Sequence, residues 1–75
     1  MNNARRKEIV KAMEMIDDAA AIIEECASDE QGYWDEMPEN LQESERGERA
    51  QQVADELYEM PDELRDVRER LEETM

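Results

Sequence analysis

Apolar residues recur along this chain in alternating steps of three and four, and that spacing commits it to amphipathic helices. In the first half the pattern is held by Ile9, Ala12, Ile16, Ala19, Ile23 and Cys26, with Met13, Ala20 and Ala27 widening the same face. In the second half it is held by Ala50, Val53, Leu57, Met60, Leu64, Val67 and Leu71, the repeat of a coiled-coil seam. Because 39% of residues are apolar and so arranged, the large net charge does not imply a disordered chain.

These signals predict a single all-α domain over residues 1–75. A first helix is expected over about 4–27, capped by Asn3 and closed where Ser28, Asp29 and Gly32 bring loop character. An ordered connection over about 28–40 follows, containing Gly32, Tyr33, Trp34 and Pro38. A second helix is expected over about 41–74. Asn40 and Glu43 form a capping-box pattern for a start at Leu41, with Ser44 as the rival cap. Gly47 costs a helix interior about 1 kcal/mol and so favours a short turn over 38–43 followed by a bend, and Pro61 marks a kink because it lacks a backbone donor while the apolar phase continues through it.

The expected arrangement is an antiparallel helical hairpin with a bent C-terminal helix. Running the helices head to tail places Arg5, Arg6 and Lys7 at one N-terminus beside Glu69, Glu72 and Glu73 at the other C-terminus, where both helix dipoles favour the exchange. A core of this size supplies only about 3 to 5 kcal/mol. Met15, Ile22 and Leu41 are left seeking cover, so two copies are expected to form a homodimeric four-helix bundle; the alternative is a monomeric three-helix bundle.

Charge is distributed unevenly. The chain carries 23 acids and 9 bases, a formal charge of -14, yet Glu14 to Glu45 contains twelve acids and no base. Such a run makes a one-sign field able to steer a basic partner, and it repels nucleic acid. The longest nearly apolar stretch, Ala19 to Ile23, is far too short to cross a bilayer, and acids interrupt any signal-peptide core after Arg5, Arg6 and Lys7. A cytoplasmic protein, free of membrane, is the expectation.

Catalytic chemistry finds little to work with. No His is present, and Ser28, Ser44, Thr74, Lys7 and Lys11 stand without a neighbour pattern that would activate them, so no enzyme and no cofactor are expected. A calcium loop starting at Asp29 would need Gly at its sixth position, where Trp34 stands. Cys26, on the apolar face beside Ile23, reads as a small buried core residue.

What remains are binding surfaces. The acids Asp17, Asp18, Glu24, Glu25, Asp29, Glu30, Asp35 and Glu36 form the candidate partner face. Tyr33, Trp34 and Met37 read either as a plug capping the helical core or as anchors on a partner protein. Arg5, Arg6, Lys7 and Lys11, brought together from several copies, form the alternative, an anion site.

The string Met37-Pro38-Glu39-Asn40-Leu41-Gln42-Glu43-Ser44-Glu45-Arg46-Gly47-Glu48-Arg49, preceded by Trp34-Asp35-Glu36, resembles a segment of short, acidic, helical proteins of bacterial viruses and prophages. There it precedes a long helix with a Leu and Glu repeat, and the likeness covers about the C-terminal two thirds of this chain. Pro61 departs from that uninterrupted helix. The resemblance implies a phage or mobile-element origin in a bacterial host and brings no site residue with it. The function expected is that of a non-catalytic interaction protein, mimicking nucleic acid to inhibit a basic host or defence protein. The alternatives are an oligomer that sequesters small ligands such as nucleotides, and a purely structural or assembly protein.

Overall fold

A computed structural model describes residues 1–75 as three helices, α1 (Asn3–Asp35), α2 (Glu39–Gln42) and α3 (Glu45–Glu73), without a strand. The long pair, α1 and α3, packs side by side into a rod 59 Å long and 14 by 12 Å across. Across the pair, Arg68 Nε lies 2.8 Å from Asp17, Arg65 pairs with Glu24, and Gln51 Nε2 donates to Gln31 Oε1 at 3.2 Å. Numbers rise along α1 as they fall along α3, so the two helices run in opposite directions.

The seam is built from small residues. Only seven of 75 residues are buried, and the apolar core among them is Met13, Ala20, Ala27, Ala50 and Ala54, joined by Gly47 and Pro61. Alanines let the backbones approach closely but bury little area each, so this interior is thin. The larger aliphatics Ile9, Ile16, Ile23, Leu57 and Leu64 flank it half-buried.

Several expectations need correction. α1 does not end near Ala27: it continues through Ser28, Asp29 and Gly32 to Asp35, because one glycine costs a helix only about 1 kcal/mol and no residue there forces a turn. The N-cap is Asn2 rather than Asn3, its Oδ1 accepting from the Arg5 amide at 2.8 Å. The centre of the α1 stripe lies one residue later than expected, on 13, 20 and 27, and this turns Cys26 out to an exposed position. The α3 seam likewise runs through Gly47, Ala50, Ala54, Leu57, Pro61 and Leu64, leaving Met60 and Val67 exposed.

The connection also differs. A single turn of helix, α2, opens at Glu39 with Pro38 before it and no side-chain cap, so the Asn40 and Glu43 box does not form. Ser44 caps α3 instead, its Oγ accepting from the Gly47 amide at 3.4 Å. Gly47 does not bend a helix. It lies where α2 crosses the start of α3, and a Cβ there would overlap the carbonyl oxygens of Leu41 and Gln42. α3 passes through Pro61 as one helix, with the ring fully buried. Arg5, Arg6 and Lys7 form no ion pair with Glu69, Glu72 or Glu73; the bridges between helices come from Arg65 and Arg68.

Candidate functional site

Helical geometry sorts the outer surface into three parts. Residues seven apart lie nearly above one another on a helix. Asp17, Glu24 and Gln31 therefore form a line along one flank of the seam, where they meet Arg68, Arg65 and Gln51. Arg68 also reaches Glu72 at 3.4 Å, and Arg65 reaches Asp62 at 3.5 Å. Both guanidinium groups hold their protons more tightly than an ordinary arginine, first because they donate to Asp17 and Glu24 and then through the attraction of those charges. This side is closed by polar contacts, with Val10 and Tyr58 as isolated exposed apolar residues.

The opposite flank is apolar. On α1 it carries Ala12, Ala19, Cys26 and Tyr33 seven apart; Met15 and Ile22, 64% and 61% exposed, stand at its outer edge, on the line that Asp29 and Glu36 continue. On α3 it carries Arg46, Val53, Met60 and Val67, also seven apart. The Arg46 guanidinium stands over the Tyr33 ring, 5.9 Å from its centroid, so the two lines share one side of the rod.

The third part is the back of α1. Asp18 and Glu25 share one line there and Asp29 and Glu36 extend the adjoining line of Met15 and Ile22, so the four acids form a band about 27 Å long at 1.5 Å per residue that borders the apolar flank, and none forms an ion pair. The eight expected acids are thus divided. Asp17 and Glu24 are held by arginines, Glu30 is half-buried on the apolar side, and Asp35 accepts from Gln31 Nε2 at 3.1 Å.

Tyr33, Trp34 and Met37 separate as well. Trp34 and Met37 are half-buried at the closed end of the rod, where the Trp34 carbonyl accepts from Gln42 Nε2 at 3.0 Å. Tyr33 is exposed beneath Arg46, in an open groove shared with Met37, Pro38 and Leu41. Arg5, Arg6, Lys7 and Lys11 are all exposed; within one copy Arg5, Arg6 and Lys7 project about 100° apart, while Lys7 and Lys11 share a face one turn apart.

No group of His, Cys, Asp and Glu side chains converges as a metal site. The most capacious depression, 480 Å³, is an open groove lined by Glu45, Arg46, Glu48, Arg49 and Gln52, without an apolar wall to hold a small molecule. No helix is long and apolar enough to cross a membrane. No protein-family model matches the chain, nor does any curated protein or solved structure. The sequence pattern set Ala12, Ala19 and Cys26 in the centre of the buried stripe; the structure buries the neighbouring line 13, 20 and 27 and leaves 12, 19 and 26, continued by Tyr33, on the flank.

Proposed function

We propose that this chain is a non-catalytic acidic interaction protein of phage or mobile-element origin. Each copy is an antiparallel hairpin, two copies form a four-helix bundle, and the bundle occupies a basic groove that normally holds nucleic acid in a host or defence protein. One observation carries this reading: Asp18, Glu25, Asp29 and Glu36 project along the rod with no base of the same copy paired to them. A row of fixed negative charges attracts the lysines and arginines that otherwise contact phosphates, and the attraction is screened by salt.

The test is capture from a bacterial host lysate on the tagged protein, followed by elution with duplex DNA. Basic nucleic-acid-binding proteins are expected on the column at low salt, released by DNA or by added salt. They are expected to be absent with the D18N/E25Q/D29N/E36Q variant. Retention that is indifferent to salt, or unchanged in that variant, overturns the reading.

A further inference from the structure

Building on the dimer reading, we infer that the apolar flank is the self-association face and that the second copy lies on it antiparallel, its N-terminal basic segment against the first copy's acidic turn. Three observations lead there. The pair's own core is thin, while Met15, Ile22, Cys26, Met60 and Val67 stand exposed on one side. An antiparallel partner overlapping the whole of that side, 59 by 14 Å, covers a footprint of about 800 Å², close to what one partner contributes to a stable interface; the apolar stretch from Ala12 to Tyr33 supplies about 32 Å of its length and the charged ends the rest. The opposite side is already closed by Arg65 and Arg68.

Charge then fixes the direction. Residues 1–13 hold four bases against one acid, whereas residues 28–49, at the closed end, hold eight acids against two arginines. A parallel pair would stack one acidic turn on the other, and an antiparallel pair brings each against a basic segment. The apolar flank runs from Ala12 to Tyr33, so its midpoint, near Ile22, marks the two-fold axis. Lys11 of one copy then lies level with Tyr33 of the other, and Lys7 near Met37.

Carbodiimide coupling followed by mass spectrometry tests this on the wild-type chain. Within one copy, Lys7 and Lys11 lie at least about 27 Å along α1 from Asp29 and every acid beyond it in the turn. An amide between either lysine and an acid of residues 29–48 must therefore join two copies, and mixing ¹⁴N and ¹⁵N protein identifies it. The expected result is a dimer carrying such amides, weakened at least tenfold by the I22E/M60E variant with its helix content retained. A dimer whose intercopy amides join Lys7 or Lys11 only to Glu69, Glu72 or Glu73 overturns the antiparallel inference and leaves the dimer reading standing. A monomer at all concentrations overturns both, while the acidic-line reading is judged separately by capture.

Discussion

Gly47 and Gly32 are both helical glycines, and the structure predicts opposite outcomes when each becomes alanine. Propensity alone favours alanine by about 1 kcal/mol at either position. At Gly32 nothing lies within 4 Å of the added Cβ, so the full gain is expected. At Gly47 the Cβ overlaps two backbone carbonyls of α2, and backbone does not yield as a side-chain tip does. Overpacking of this kind costs roughly 1 to 3 kcal/mol. Moving α2 away also strains the Gln42 bond to the Trp34 carbonyl and the Ser44 cap, each worth about 1 kcal/mol. The net expectation is a loss of about 2 kcal/mol for G47A against a gain of up to about 1 kcal/mol for G32A. In a domain of this size the melting temperatures should separate by at least about 10 °C, with G47A the lower. Thermal unfolding followed by circular dichroism at one fixed protein concentration measures it. Equal stabilisation in the two variants would refute the close crossing of α2 over α3.

Three further outcomes follow from particular contacts. P61A restores a backbone donor and removes the ring clash, a gain of about 3 kcal/mol, and gives up about two buried methylenes, near 1.6 kcal/mol. Urea unfolding should show P61A the more stable by roughly 1 kcal/mol, and a clear loss would show that ring packing dominates. Arg68 is a base whose proton is held more tightly in the fold, so its contribution is complete below the ordinary arginine range and lost only as pH climbs through the raised value. The stability difference between wild type and R68Q should therefore stay constant from about pH 7 to about pH 9, and a steady decline across that range would contradict the assignment. Cys26 is exposed on each copy and lies on the inferred face, so labelling by a thiol reagent should be fast in dilute protein and slow with rising concentration. Slow labelling at every dilution would place the thiol in the core after all.

The period of the helices was legible in the sequence, and their phase was not. On α1 the lines 12, 19, 26 and 13, 20, 27 are both small or apolar, so spacing alone could not say which one faces α3. On α3 the true seam passes through Pro61 and Arg68, two residue types that disguise it, while Met60 and Val67 look like core and are exposed. Gly32 and Gly47 show why local signals misled in opposite ways. Gly32 suggested a loop, yet a long helix absorbs the cost of one glycine. Gly47 suggested a bend, yet it serves a close approach made by residues that α2 brings back in space. The candidate acids were legible as a group. Their division followed only from Arg65 and Arg68, which reach Glu24 and Asp17 across 41 and 51 residues of chain.

The central physical claim is that an alanine seam is too thin to hold this rod alone, and that its exposed apolar flank gains its cover from a second copy. Sedimentation equilibrium and thermal unfolding on the same samples, over a range of micromolar concentrations, test it most directly. A particle of twice 8.9 kDa is expected, with a melting temperature that rises with concentration, because association stabilises only the folded chain. A helical particle of 8.9 kDa whose melting temperature is indifferent to concentration would contradict it.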